Sequence, residues 1–419
     1  MLSDATEPKA IAPRISRALW CILALMVVSV AINYIDRGSL STAAPLLKTD
    51  MAIPPAQLGL LLSAFFWTYA LLQVGSGSLV DRFDVKWVMA IGFLIWSLAT
   101  AATGLARSFS DLLLLRLLLG LGESVAYPCY SKIIGAYFSE HQRGLANGLI
   151  DAGTKLGPAL GMLSGGMLMA RYGWRPVFIV LGVSSLLWLP AWLKWMPRER
   201  NRSQAGPIEG AGFSEILRQP SAWATFAGHF CGNYFWYFLL TWLPYYLVRE
   251  RGFSMDSMAV ITAVAYCVTA LATTTTGWFA DRLIVNGSSP IRVRKACAAI
   301  GLAFASAVVG VVFVRSSAGA MVILMFSCLA YGIFASSHWA ITQTIAGFST
   351  VGRWSGLQNC LANMAGVAAP AITGLVVKNT GHFFWAFAVS ASVVLTGAAV
   401  YAFLLRPVEP LTWRAREQR

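Results

Sequence analysis

Charge is scarce in this chain. Asp, Glu, Lys and Arg make up 12% of its 419 residues, against about 25% in an ordinary soluble domain. A water-soluble globular fold is therefore excluded at the outset. Catalytic signatures are missing as well. No phosphate-cradling P-loop is present, so the chain shows no ATP drive of its own, and no His-Glu-x-x-His zinc motif occurs. Gly-x-Ser-x-Gly does not occur on a strand-to-helix turn, and no strands are expected. The seven cysteines fall inside apolar stretches, with neither metal-ligand spacing nor a disulfide framework. These absences point away from an enzyme, and no cofactor is expected.

Apolar sequence is what the chain has most of. Hydrophobic residues make up 57% and the mean hydropathy is +0.63. Twelve apolar runs of roughly 20 residues, enough to cross a bilayer as helices, can be counted. They lie at about 18–45, 57–80, 86–106, 110–137, 143–170, 174–195, 221–248, 256–280, 293–314, 318–346, 353–378 and 382–405. The first could be mistaken for a signal peptide, but it lacks a clear cleavage site and flows into a polar motif, so it reads as helix 1. The expectation is an all-α integral membrane protein with a six-helix bundle over 1–195, a cytoplasmic linker over 196–220, and a second six-helix bundle over 221–419.

The net charge of +14 does not mark a nucleic-acid partner, because the cations are sorted by side. With the N-terminus inside, 20 of the 32 Lys and Arg fall on cytoplasmic segments and eight on outer loops. This positive-inside asymmetry places both termini in the cytoplasm. The remaining four, Arg37, Arg116, Lys132 and Lys155, fall within spans. Lys132 lies near the cytoplasmic end of helix 4, where it can snorkel to the interface.

A short polar device recurs. Gly77-Ser-Leu-Val-Asp81-Arg82 returns 200 residues later as Gly277-Trp-Phe-Ala-Asp281-Arg282. Each copy follows an apolar run and precedes basic residues. Internal repeats in so apolar a chain mark transporter folds, whose site lies between the halves.

Ionisable residues at membrane depth cost about 2.5–3.5 kcal/mol each on insertion scales, so each needs a partner, water or a function. Asp36 and Arg37 follow Asn33-Tyr34-Ile35 on helix 1. Ending the helix near Asn33 would leave them at the outer surface, but residues 38–47 carry no charge and continue the helix. Arg116 and Glu123 are two turns apart on one face of helix 4, roughly 10 Å along the axis, and the plain alternative is an interhelical ion pair that only fixes packing. Asp151 and Lys155 on helix 5 have the favourable i,i+4 order, and a purely local pair would neutralise both. Helix 5 also carries Gly153, Gly157, Gly161 and Gly165, a stripe for close packing, with Pro158 suggesting a kink. Tyr69 and Gln73 on helix 2, Asn233, Tyr234 and Trp236 on helix 7, and Asn359 and Asn363 on helix 11 are further candidates for a cavity. His338, Trp339 and Gln343 on helix 10 join them. For single aromatics, core packing is the plain alternative; for the asparagines it is helix-to-helix hydrogen bonding; for His229 and His338 it is a satisfied core imidazole.

The paired Gly-x-x-x-Asp-Arg loops resemble the signature of the major facilitator superfamily. Asn33-Tyr34-Ile35-Asp36-Arg37, Arg116-Leu-Leu-Leu-Gly120-Leu-Gly122-Glu123 and Thr241-Trp242-Leu243-Pro244 resemble helices 1, 4 and 7 of its anion:cation symporters. That family includes bacterial galactonate, hexuronate and glucarate transporters and, more distantly, sialin and the vesicular glutamate transporters. The resemblance implies protons carried by Asp36 and Glu123 and a carboxylate bound by Arg37. It implies that Arg116 pairs with acids or substrate, and that Tyr69 and Asn359 or Asn363 touch substrate. One departure is Asp81-Arg82-Phe83-Asp84, a turn without the family's glycine. Gly157-Pro158-Ala159-Leu160-Gly161 is close to a pattern of proton-drug antiporters.

The resulting expectation is a proton-coupled importer of a small organic anion, most readily a sugar acid, in a bacterial inner membrane. It is driven by a proton gradient and works as a monomer. Tyr34, Tyr69, Arg37, Arg116, Lys155, Asn233, Trp236, Asn359 and Asn363 would bind substrate, Asp36 and Glu123 protons. Gly77, Asp81, Arg82, Gly277, Asp281 and Arg282 would gate. The rivals are an importer of aromatic or other carboxylates, a proton-drug antiporter, and a non-transporting membrane receptor or assembly protein. The last leaves the intramembrane charges without a function.

Overall fold

A computed structural model of the chain describes residues 15–53, 55–161, 165–197, 210–405 and 411. Residues 198–209 of the expected linker and both chain ends lie outside the described residues. Among those described, every regular element is a helix. Helix α1 spans Arg17–Asp50, α2 Pro55–Arg82 and α3 Val85–Thr103. Helix α4 covers Phe109–Tyr137 with a break after Glu123. Helix α5 runs Arg143–Leu160 and resumes at Gly166–Tyr172, and α6 covers Trp174–Trp195. A short helix at Phe213–Leu217 leads into α7, Pro220–Arg249. Then come α8 (Met255–Val285), α9 (Pro290–Val312), α10 (Ser317–Ala346), α11 (Val351–Thr380) and α12 (Phe383–Leu404).

Nine of these, all but α2, α5 and α7, contain a stretch long and apolar enough to cross a membrane. The outer surface matches: Leu71, Leu187 and Phe403 are 65%, 78% and 81% exposed, an arrangement that suits lipid and not water. Helix α1 does not stop near Asn33. It is helical through Asp50, and Asp36 is buried.

The apolar cores divide along the chain. One is built from residues between Ala211 and Leu405. The others are built from residues between Ile22 and Met196. Within the first half, the glycine stripe of α5 works as close packing: a Cβ on Gly153, Gly157 or Gly161 would meet Val30, Tyr34 or Ile35 of α1. The glycine-free turn between α2 and α3 is held differently, by Asp84, whose side chain accepts the Lys86 N–H (2.9 Å) and caps α3.

A second internal repeat emerges from the backbone. Gly173 (φ 78°), between α5 and α6, and Gly381 (φ 70°), between α11 and α12, both take a positive φ that disfavours a side chain. They lie 208 residues apart. The same offset relates Gly144 to Gly352 and Gly148 to Gly356, near the starts of α5 and α11.

Candidate functional site

A small cavity lies between the two halves. The first half lines it with Tyr34, Tyr69, Tyr127, Asp151, Thr154 and Lys155. The second half contributes His229, Asn233, Trp236 and Tyr237 from α7, Tyr331, His338 and Trp339 from α10, and Asn359 and Asn363 from α11. Two helix breaks flank it. Glu123 is the last residue before the break in α4, and His338 the first after that in α10. Irregular backbone at membrane depth is tolerated where it lines a cavity.

Lys155 is the single cation on this lining among the described residues. Its Nζ lies 3.2 Å from Asp151 Oδ1 and 3.0 Å from Thr154 Oγ1. It also sits 4.0 Å from the ring centre of Trp236, which belongs to the other half. Thr273 of α8 donates to Asp151 Oδ2 at 3.3 Å. The pair thus touches both halves. Across from it, Tyr237 donates to Asn363 Oδ1 (2.8 Å), and Asn363 Nδ2 donates to Asn359 Oδ1 (3.0 Å), leaving Asn359 Nδ2 with no hydrogen-bond partner. The His229 and His338 rings lie 4.4 Å apart, tilted at 44°, and His229 shares a 3.3 Å hydrogen bond with Gln358.

Arg37, Asp36, Arg116 and Glu123 do not line the cavity; they sit behind its tyrosines. Arg37 Nε donates to Glu123 Oε2 at 2.8 Å. Its guanidinium lies 4.7, 4.8 and 4.1 Å from the ring centres of Tyr34, Phe65 and Tyr69. Two of those rings are cavity walls, so Arg37 is separated from the cavity by one aromatic layer. Arg37 Nη2, Glu123 Oε1, Arg116 Nε and Asp36 Oδ2 are buried without hydrogen-bond partners. The ion pair that Glu123 forms is interhelical, with Arg37 from α1. Gln73 is fully buried and also stands off the cavity.

The repeated loops clasp one end of the molecule. Asp81 accepts the backbone N–H groups of Gly352 (2.9 Å) and Arg353 (2.8 Å) at the start of α11. Asp281 accepts those of Gly144 (3.0 Å) and Leu145 (2.8 Å) at the start of α5. Each half thus caps a helix N-terminus of the other, where free N–H groups and the helix dipole favour an anion. The glycines permit the approach: a Cβ on Gly77 would strike the Gly352 carbonyl, and one on Gly277 the Gly144 carbonyl. Arg82 and Arg282 take no part in these caps. Both are exposed, lying over the Phe83 and Trp278 rings.

Sequence reasoning missed several members of this clasp. Lys132 does not reach for the interface. It is 1% exposed, 3.7 Å from Asp81 and over the ring of Phe348. Arg294, read as part of a basic loop cluster, is also 1% exposed and donates to Asp281 (2.7 Å) and to the Glu140 carbonyl (2.7 Å). Between clasp and cavity, Asn147 and Gln343 exchange two amide hydrogen bonds (2.9 and 3.0 Å) across the halves. Thr344 donates to Glu140 (2.8 Å) beside them. The i,i+4 relation of Arg143 and Asn147 on a polar helix start was the available signal.

The model of the Major Facilitator Superfamily matches residues 26–350. The chain belongs to this superfamily. It is a membrane transporter and not an enzyme. It is similar to a hexuronate transporter of Bacillus subtilis, 29% identical over 92% of this chain and 94% of that one. It is also similar to a probable sulfoacetate transporter of Cupriavidus necator, 30% identical over 91% and 93%. The fold matches that of the human organic anion transporter MFSD10 (TM-score 0.71, 16% identity, 92% of this chain and 99% of that one).

Proposed function

We propose that this transporter imports a small organic anion, a sugar acid, together with protons by alternating access. The halves 1–195 and 221–419, joined by 196–220, rock about the cavity in a bacterial inner membrane, with both termini and the Asp81 and Asp281 clasps on the cytoplasmic side. The clasped structure then corresponds to a state closed toward the cytoplasm.

The observation that carries this reading is the Arg37–Glu123 pair, 2.8 Å apart behind the tyrosine wall. A substrate carboxylate can pair with the guanidinium only if Glu123 gives it up and the Tyr34 and Tyr69 rings between them move aside. A proton on Glu123 frees Arg37 and removes a negative charge that repels the anion. Proton and anion then favour each other's binding, and that coupling is reciprocal. Asp36 and Arg116 stand beside this pair, and protonation of Asp36 acts in the same direction. Lys155 supplies positive potential inside the cavity. Asn233, Asn359 and Asn363 offer hydrogen bonds to hydroxyls, and Trp236 a face for a sugar ring. The relatives named for a hexuronate and for sulfoacetate share an anionic group, which supports the class of substrate.

Uptake of radiolabelled glucuronate and galactonate into proteoliposomes tests this. An inwardly directed proton gradient should drive accumulation, and collapsing the gradient should abolish it. Accumulation indifferent to the gradient defeats the reading. The ring-rich lining favours a second reading, an aromatic carboxylate; stronger competition by phthalate than by sugar acids would select it.

A further inference from the structure

Of the acids at membrane depth in the first half, Asp36 and Glu123 lie behind the tyrosine wall, and only Asp151 faces the cavity. It holds the Lys155 ammonium at 3.2 Å. The remaining contacts of Lys155 Nζ are neutral: Thr154 Oγ1 at 3.0 Å, and the rings of Trp236 and Tyr331 at 4.0 and 5.6 Å. Asp151 is therefore the one anionic partner that a carboxylate has to displace to reach Lys155.

The sum of charges in this region is informative. Three cations (Arg37, Arg116 and Lys155) stand with three acids (Asp36, Glu123 and Asp151), and the total is zero. An incoming carboxylate makes it negative. Uncompensated charge is strongly disfavoured in a low-dielectric interior, so each carboxylate calls for at least one proton. Among the described residues, the other groups facing the Asp151–Lys155 pair include no Asp, Glu, Lys or Arg. They are Tyr34 of α1, Tyr127 of α4, His229 of α7, Thr273 of α8, and Tyr331 and His338 of α10.

We propose that Asp151 is a further proton-binding site of this transporter, exchanging with the substrate carboxylate for Lys155. This rests on the organic-anion reading above. A proton from the outer solution binds an Asp151 oxygen as the substrate carboxylate takes over the Lys155 ammonium. On the cytoplasmic side the carboxylate leaves, Asp151 re-forms its pair and the proton is released to water. No covalent bond other than O–H changes. The surroundings suit a neutral carboxyl: Thr154 Oγ1 lies 3.5 Å from Oδ1, within reach of a donated hydrogen bond, while Thr273 continues to donate to Oδ2. The site takes a carboxylate of any carbon skeleton, because recognition of the rest of the molecule belongs to the opposite wall.

The test counts protons. Purified full-length protein in weakly buffered detergent solution, with a pH dye, is titrated with glucuronate and galactonate, and affinity is measured from pH 5.5 to 8. Each linked proton makes affinity fall about tenfold per pH unit above the titration range. Asp151→Asn should still bind the anion but take up one proton fewer, with a correspondingly shallower pH dependence. Asp151→Glu should restore the wild-type count. A difference infrared spectrum of the wild type on anion binding should show a carboxylic-acid C=O band that shifts in Asp151→Glu. This readout does not depend on the asparagine variant folding. An unchanged proton count in Asp151→Asn, loss of anion binding in a folded Asp151→Asn, or an infrared band indifferent to Asp151→Glu overturns the proposal and leaves the organic-anion reading standing. Failure of the wild type to bind any carboxylate overturns both.

Discussion

Arg37 of α1 and Glu123 of α4 form a 2.8 Å ion pair although 86 residues separate them, and the pair sits in a box of three aromatic rings. Breaking it by removing one partner leaves a buried charge, which costs about 3–5 kcal/mol, whereas neutralising one partner with a proton offers the substrate an unclaimed guanidinium.

Glu123→Gln mimics the protonated state. Counterflow exchange of glucuronate in proteoliposomes should persist, while accumulation driven by a pH gradient is lost. Asp36→Asn should likewise lose gradient-driven accumulation. Gradient-driven uptake surviving in both variants would show that protons travel by another route.

Arg37→Ala should abolish anion binding. Arg37→Lys should recover little, because an ammonium cannot reproduce the planar two-donor grip of guanidinium or its contact with the Tyr69 ring. Binding measured by thermal shift with the sugar-acid panel decides it. A normal shift in the alanine variant would remove Arg37 from the site.

Asp281→Asn should weaken the closed clasp. It deprives Arg294 of its carboxylate and Gly144 and Leu145 of a charged cap, the cap alone contributing about 1–2 kcal/mol. Spin labels on Phe83 and Phe279, both exposed, should report a broader and longer distance distribution at this face. Gly277→Val should act in the same direction, since a side chain there meets the Gly144 carbonyl. Distributions identical to wild type in both variants would mean that the clasp does not set the equilibrium.

Asn147→Ala and Gln343→Ala should be non-additive. Each removes both hydrogen bonds of the reciprocal amide pair, so the double variant should open little more than either single one. The coupling expected in a double-mutant cycle on the same spin-label distances is about 1–2 kcal/mol. Additive effects would show that the two amides act separately.

Much of this was readable from residue patterns, and the failures have a common origin. Apolar run length revealed the helices, and the 200-residue repeat pointed to the clasp. What one helix contains is visible in its own spacing. What a side chain meets on another helix is not. Arg116 and Glu123 share a face of α4, but that spacing does not say which helix supplies a partner, and Glu123 pairs with Arg37 of α1. Lys132 sits near a helix end, where snorkelling is the local expectation, yet Asp81 of α2 holds it inside. The 208-residue repeat of Gly144, Gly148 and Gly173 involves isolated glycines, and it became evident only through shared φ angles and matching cross-half contacts.

Every Lys, Arg, Asp and Glu at cavity depth among the described residues comes from helices before residue 195. The second half faces the cavity with rings, amides and imidazoles. On the reading proposed above, substitutions on α7, α10 and α11 would alter the uncharged wall that meets the cargo and leave every ionisable pair at that depth in place.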